Sequence, residues 1–125
     1  MLTGNVNAKP VEEPKVTGPK IQFLSMQKDF GSVIEGELQV HVFIFKNVGD
    51  ADLEITDIKT SCGCTAAIPS AKTLRPGEEA EMKVEFDTKD RSGRVSRTIQ
   101  VVTNEKDVPT KILTIFADIK KKDAR

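Results

Sequence analysis

The chain has 125 residues, the length of one domain, because domains usually contain roughly 100–200 residues. It is 38% hydrophobic, 30% charged and 5% aromatic, a composition typical of a soluble globular protein. Its 19 basic and 19 acidic residues give a formal net charge of +0, which argues against nucleic acid as the main partner. No apolar run reaches the ~18 residues of a membrane span, so we expect no membrane insertion.

The first segment, residues 1–19, has mixed charges, three of the six prolines and no apolar periodicity. This pattern predicts a disordered tail or linker. The segment lacks the basic and apolar regions of a signal peptide, which leaves a cytosolic protein or an exported protein whose leader was removed. The Pro, Val, Glu and Lys content favours the exported protein. A charged C-terminal tail is predicted for residues 121–125.

Between the tails, residues 20–120 read as short extended segments separated by turn signals. The candidate strands cover residues 22–26, 29–33, 37–46, 53–60, 65–68, 81–86, 95–103 and 111–120. No segment has a helical period. About seven main strands in such a length predict an immunoglobulin-like sandwich of two antiparallel sheets.

The predicted sandwich must depend on its apolar core, because the chain has no Trp and its two cysteines are too close in sequence to staple two sheets. The core candidates are Phe23, Phe30, Val33, Phe43, Phe45, Leu53, Ile55, Ile58, Met82, Val84, Phe86, Ile99, Val101, Ile115 and Ile119.

The strand predicted for residues 37–46 is apolar on both faces. His41, Phe43 and Phe45 share one face, and the other carries a second apolar row, Leu38, Val40, Val42 and Ile44. A strand with one solvated face should alternate apolar and polar residues, so the second row needs a cover. A loop or the N-terminal segment could lie over it, or a partner protein could dock there. Val40, Val42 and Ile44 are therefore the candidate interface. Residues 111–119 show the same ambiguity.

One motif points to chemistry, the loop Cys62-Gly63-Cys64-Thr65 that follows a predicted strand. Its glycine permits a tight turn, which can bring the two sulfurs to the same side of the loop. A first use is a short-range disulfide, whose small ring would add little stability and serve switching or loop shape.

A second use of Cys62 and Cys64 is metal binding. Two thiolates suit Cu(I) better than zinc, which needs four ligands, and His41 is the single histidine that could add a nitrogen. A third use is structural, with both cysteines packed as small residues at a sheet edge and Gly63 making the corner. The residues alone leave these three uses open, with no cofactor expected unless copper binds.

No catalytic constellation accompanies the motif. His41 lies in phase with two phenylalanines and is expected to face the core or a sheet edge, since a general base also needs a positioned partner. A nucleophilic pair of Cys62 and His41 lacks a third orienting group. The aspartates cluster in predicted turns without the spacing of a calcium loop. We therefore predict that the protein is not an enzyme.

The joint pattern of motifs resembles the bacterial domain-of-unknown-function family numbered 1573. The residues that carry the resemblance are Phe30-Gly31-Ser32-Val33, Phe43-x-Phe45-x-Asn47-x-Gly49, Leu53-x-Ile55, Ser61-Cys62-Gly63-Cys64-Thr65, Pro76-Gly77-Glu78 and Val84-x-Phe86-Asp87-Thr88. The resemblance covers most of residues 23–119. Val42 and Ile44 depart from it, because members of the family tend to be polar there.

The resemblance implies a fold similar to the immunoglobulin-like domains of the Hydin and major-sperm-protein type, and a bacterial, periplasmic or exported location. It implies no enzymatic activity. Our first interpretation is a non-enzymatic binding or scaffold module of the cell envelope, with an unknown protein partner at a sheet edge or at Val40, Val42 and Ile44. The alternative is a thiol-redox or Cu(I)-binding protein that acts through Cys62 and Cys64.

Overall fold

The computed structural model describes residues 18–121, which form two packed β-sheets. The strands are β1 (Ile21–Phe23), β2 (Gln27–Ile34), β3 (Leu38–Asn47), β4 (Leu53–Thr60), β5 (Thr65–Pro69), β6 (Thr73–Leu74), β7 (Glu79–Asp87), β8 (Gly93–Thr103) and β9 (Thr110–Lys120). There are nine strands rather than about seven, because the short strands β1 and β6 add to the main set. In this part of the chain, no helix is long and apolar enough to cross a membrane.

The strands are divided between two sheets. Sheet I has four strands in the order β1-β3-β7-β5, and sheet II has five in the order β2-β9-β8-β4-β6. All pairs are antiparallel except β2 and β9, which run parallel. The predicted immunoglobulin-like sandwich is therefore confirmed, with one parallel pair at an edge.

The N-terminal part of the domain belongs to both sheets. β1 pairs with the end of β3 over three residues, and the Leu24 N–H then donates to Ile44 O at 3.0 Å. The chain next crosses to sheet II, where β2 runs beside β9. Because β1 is so short, it covers one end of β3 and leaves the rest of that edge open.

The core lies between the sheets, where the strands alternate inward and outward residues as a pleated strand must. Its buried apolar residues are Ile21, Val33, Phe43, Phe45, Leu53, Ile55, Leu74, Ala80, Met82, Val84, Phe86, Ile99, Val101, Leu113, Ile115, Ala117 and Ile119. Of the predicted core, Phe23, Phe30 and Ile58 are partly buried and pack against this cluster. In β9 the ambiguity of the sequence resolves, since Leu113 and Ile115 face inward and Ile112 faces solvent.

Two buried polar side chains fix the ends of the sheets. Asn47 is 0% exposed, and its Nδ2 donates to Ala51 O and Leu74 O at 2.8 and 2.9 Å. Its Oδ1 accepts the Gly49 N–H at 3.0 Å. At the opposite end, the buried Thr88 hydroxyl donates to a carbonyl of the turn between β2 and β3. Both side chains satisfy backbone groups that the strands leave unpaired.

Candidate functional site

The second apolar row of β3 is exposed. Leu38, Val40 and Val42 are 55%, 47% and 36% accessible on the outer face of sheet I, and Ile44 is half-buried. Leu24, 77% exposed, extends the row where its backbone meets Ile44. Within residues 18–121 no segment covers this row. Among the described residues, therefore, no loop covers the row. The other expectation, that the N-terminal segment covers it, concerns mainly residues outside the described range.

A charged row runs beside the apolar one, on the outer face of β7. The β3–β7 register places Val40 beside Glu85, Val42 beside Lys83 and Ile44 beside Glu81. The full outward row of β7 is Glu79, Glu81, Lys83, Glu85 and Asp87. Lys83 forms an ion pair with Glu85 at 3.5 Å. The outer face of sheet I thus combines an apolar stripe with an acidic stripe.

The edge of β3 beside the apolar row is open. Ile44 O accepts from the N–H of Leu24, the residue after β1, whereas the Asn47 N–H donates to Glu78 O on the β7 side. Because successive residues of a strand direct their hydrogen-bonding groups to opposite edges, those of Leu38, Val40 and Val42 point the same way as those of Ile44. In residues 18–121, no strand pairs with them there. The side chains and the free backbone groups thus belong to the same three residues.

The motif cysteines form a disulfide between Cys62 and Cys64 in the loop from β4 to β5. This loop carries the chain from sheet II to sheet I. The Cys64 N–H donates to Cys62 Sγ at 3.2 Å, and the Thr65 hydroxyl lies 3.9 and 3.7 Å from the two sulfurs. Both cysteines are half-buried, and Cys64 packs against the core. Of the uses left open by the sequence, the structure contains the disulfide.

Hydrogen bonds anchor both ends of the disulfide loop. Ser61 bonds to Thr98 of β8 twice, through its N–H and through its hydroxyl oxygen, each at 3.0 Å. On the other side, the Asp87 N–H donates to Cys64 O at 2.8 Å. A Cβ on Gly63 would meet no atom within 4 Å, and its φ is not positive. The backbone therefore does not require glycine at this corner.

The two candidate sites lie at the same end of sheet I. Leu38 pairs with Asp87, and Asp87 in turn bonds to Cys64. Leu38 and the disulfide loop are therefore two strand spacings apart, about 10 Å. Between the edges of β4 and β5 lies a groove of about 420 Å³, whose lining includes Ile55, Ile58, Ala67, Ile68, Pro69 and Lys72.

His41 faces inward from β3 and is half-buried, as expected from its phase with the phenylalanines. Its ring meets the Phe43 ring edge-on, with the centroids 4.6 Å apart. Burial lowers the pKa of His41 below its usual value, and the positive charge of Lys28 lowers it further. The lowered pKa favours the neutral imidazole at pH 7.

The remaining polar chemistry of the described residues is structural. No group of three or more His, Cys, Asp or Glu side chains within residues 18–121 is placed to hold a metal ion. The bidentate pair of Arg94 and Asp29, with its shorter contact at 2.8 Å, joins β8 to β2 at the surface. The hydrogen bond from Arg94 is the main cause that lowers the pKa of Asp29.

Two features of the site were missed by sequence reasoning. The role of Asn47 as a buried anchor was not assigned, although a polar residue in phase with Phe43 and Phe45 was a signal for it. The acidic row of β7 was not recognised as part of an outer face either. The alternation of residues 79–87 indicated that these charged residues share one face. Their position beside the apolar row of β3 depended on the strand order, which the sequence does not give.

Solved structures similar to this chain define the class of the fold. A crystal structure of a protein of unknown function from Porphyromonas gingivalis W83 is 19% identical with a TM-score of 0.72, and the match covers 94% of this chain and 53% of that one. The chain thus spans about half of that protein. The ASH/PapD-like domain 7 of human CEP192 is 12% identical with a TM-score of 0.69, and 98% and 99% of the two chains are covered.

The periplasmic chaperone SfaE is also similar, at 8% identity and a TM-score of 0.59, with 81% of this chain and 58% of that one covered. These structures share the immunoglobulin-like sandwich fold of this chain. The chain itself belongs to the family described as Protein of unknown function (DUF1573), which it matches over residues 21–119. The resemblance expected from the motifs is confirmed. No curated protein matches the sequence.

Proposed function

We propose that this domain is a non-enzymatic binding or scaffold module of the bacterial cell envelope that engages a protein through β3. The observation that carries the proposal is the exposed apolar row of Leu38, Val40 and Val42 along an open strand edge. Contiguous exposed apolar surface is uncommon on monomeric proteins and marks interaction sites. An open edge adds unpaired backbone groups, which an extended segment of a partner can satisfy.

The binding face is tested by photo-crosslinking in the bacterium that makes the protein. We replace Val42 with a photoreactive phenylalanine derivative, and Ile112 serves as the matched control. Ile112 is an exposed apolar residue of β9, on the outer face of sheet II. We expect a crosslinked protein from position 42 and none from position 112. Equal adducts, or none from either position, would contradict the proposed interface.

The envelope location is supported by the family resemblance and by the fold shared with a periplasmic chaperone. Fractionation of the native bacterium tests it. We expect the protein with the periplasmic or membrane fractions. Recovery with the cytosolic marker would contradict the envelope role while leaving the binding face intact.

A second candidate function, thiol redox or Cu(I) handling, is favoured by the disulfide itself. Cys62 and Cys64 are two residues apart, so their bond closes a minimal loop of chain and adds little stability in the chain-entropy description. A bond with little structural benefit is suited to a switch. Copper binding requires prior reduction, because the disulfide occupies both sulfurs that would act as ligands.

Thiol titration separates this candidate from a purely structural disulfide. The protein is titrated before and after treatment with a mild reductant, and then competes for Cu(I) with a chelator of known affinity. A redox or copper function predicts ready reduction in the folded state and tight binding of one Cu(I). The double variant Cys62→Ser/Cys64→Ser is the control. If the disulfide is reduced only when the protein is unfolded by denaturant, and the reduced protein retains no copper, the redox or copper function is contradicted.

A further inference from the structure

The other long edges of the two sheets carry features that block strand pairing, and β3 does not. In β4 the Ile58 N–H points to the unpaired edge of the strand, and it donates a hydrogen bond to the Asp57 carboxylate at 2.9 Å. The exposed Asp57 and Lys59 flank it and approach each other to 3.9 Å. Charges beside an edge and occupied backbone donors are devices that prevent edge-to-edge association.

The edges of β5 and β2 are protected in different ways. In β5, Ser70 bonds toward β7, so Pro69 has its nitrogen at the open edge, where it lacks an N–H. β2 is interrupted by a bulge between Asp29 and Ser32, and the Asp29 carboxylate accepts the Gly31 N–H at 2.8 Å. Proline, bulges and charges all weaken pairing.

The stretch of β3 from Leu38 to Phe43 contains none of these devices. It has no charged residue, no proline and no bulge in its pairing with β7. Leu24 bounds it at one end through its bond to Ile44, and the turn before Leu38 bounds it at the other. The open length therefore matches a short strand, centred on Val40.

We propose that this edge pairs with the same edge of a second copy of the chain, antiparallel and centred on Val40. The proposal rests on the function proposed above and names its partner. A two-fold axis at Val40 places Val40 opposite Val40 of the second copy, and Leu38 opposite Val42. These residues direct both backbone groups to the open edge, so each contributes one N–H and one C=O to the ladder.

The side chains and charges fit this two-fold register. On the outer face, every pair across the axis joins two apolar residues, and on the inner face Gln39 lies opposite the neutral His41. No like charges meet, which would destabilise directly opposed pairs. The acidic rows of β7 stay three strand spacings apart, about 14 Å, beyond the screening length of roughly 8 Å at physiological salt. Face-to-face packing of two sheets I would instead bring those rows together.

Sedimentation equilibrium of the full chain tests self-association. Because the paired segment is short, we expect a weak, concentration-dependent dimer. Val40→Lys places two lysines opposite each other and is expected to weaken the dimer at least about tenfold, roughly 1.4 kcal/mol. The matched control is Ile112→Lys, because the exposed fractions of Val40 and Ile112 are 47% and 48%. Thermal unfolding of each variant verifies that it remains folded.

A charge-swap mixture tests the register and the identity of the partner together. Val40→Asp alone is expected to weaken the dimer as Val40→Lys does. Mixed in equal amounts, the two variants should associate again, because Lys then lies opposite Asp. Loss in both variants without recovery in the mixture overturns the two-fold register.

The remaining outcomes separate this proposal from the proposed function. A wild-type chain that stays monomeric at millimolar concentration overturns the dimer, and so does a dimer that Val40→Lys leaves unchanged. If the monomer also shows slow amide exchange at Val40, the N-terminal residues cover the edge. If position 42 crosslinks to a different protein in cells, the binding function holds and only the second copy is wrong.

Discussion

Asn47 shows how one polar side chain can stabilise a turn from inside the core. Its carboxamide bonds to the backbone of three segments, which are the turn after β3, Leu74 of β6 and Lys20 before β1, and no water can replace it at 0% exposure. Asn47→Ala is therefore expected to lower the free energy of unfolding by about 2–4 kcal/mol, since buried partners are left unsatisfied. Urea unfolding measures the loss.

The control for Asn47 is Asn104→Ala. Asn104 also bonds to two backbone groups, Glu54 N–H and Asp52 O, but at the surface. Water can take its place there, so we expect a loss below about 1 kcal/mol. Equal losses in the two variants would contradict the role of burial.

The Arg94–Asp29 pair predicts a pH effect with a definite sign. The pKa of Asp29 is lowered chiefly by the hydrogen bond from Arg94, so Arg94→Met is expected to raise it toward its usual value. A carboxyl with a lowered folded pKa stabilises the fold above its unfolded pKa, and that contribution is lost as pH falls through the folded pKa. NMR titration of the Asp29 carboxyl measures the shift. Arg97→Met, whose guanidinium bonds to Ser96 O instead, should leave it unchanged.

Two glycines of the family motifs have opposite structural demands. A Cβ on Gly49 would lie 2.7 Å from Lys20 N and 2.8 Å from Pro19 C, whereas one on Gly63 would meet nothing within 4 Å. Gly49→Ala should therefore destabilise the fold by about 1–3 kcal/mol through overpacking. Gly63→Ala should be neutral or stabilising by up to about 1 kcal/mol. Thermal unfolding of both variants decides, and a large loss at Gly63 would contradict this account.

At the scale of elements, the disulfide loop is held by its hydrogen bonds as well as by its sulfurs. Ser61 is bonded to β8 and Cys64 to β7, so we expect the loop to keep both anchors after reduction. Cys62→Ser/Cys64→Ser should therefore unfold cooperatively with a loss below about 2 kcal/mol, the chain-entropy value for so short a loop. Guanidinium unfolding measures it. A loss of twice that size would show that the loop depends on the bond.

The main strands were predictable from the sequence because their alternation is strong, as in residues 81–86. β6 was not, because two residues, Thr73 and Leu74, carry no period, and their strand exists through pairing with Leu53 and Glu54. Ala80 and Ala117 were missed in the core because a small side chain gives a weak hydrophobic signal. Their phase with larger neighbours was the available clue.

The candidate site was predictable in part. The sequence showed that β3 is apolar on both faces. Of the candidate interface, Val40 and Val42 are exposed, as is Leu38 beside them, whereas Ile44 is half-buried. The sequence could not show the open edge of β3. That edge is open because the N-terminal segment, after pairing with the end of β3, crosses to sheet II beyond Leu24. The sequence also left the use of Cys62 and Cys64 open. Their spacing permits a disulfide but does not require one, so metal binding and simple packing were equally compatible with it.

At the scale of the whole molecule, the outer row of sheet I and the core contribute differently to stability. Val42 is partly exposed, whereas its neighbour Phe43 is 1% accessible. We expect Val42→Thr to cost less than about 1 kcal/mol, because little buried apolar surface is lost, and Phe43→Ala to cost about 3–5 kcal/mol. Urea unfolding compares them. A cost for Val42→Thr near that of Phe43→Ala would mean that the row is part of the folded core.

The parallel pair of β2 and β9 has a mechanical consequence. Because the strands run the same way, the N-terminal end of β2 and the C-terminal end of β9 lie at opposite ends of the pair. We therefore expect tension applied to the two ends of the domain to pull β2 and β9 past each other along their length, loading their ladder in shear, so that many bonds must break together. We expect a domain built this way to resist stretching between its two ends better than one whose terminal strands separate one bond at a time.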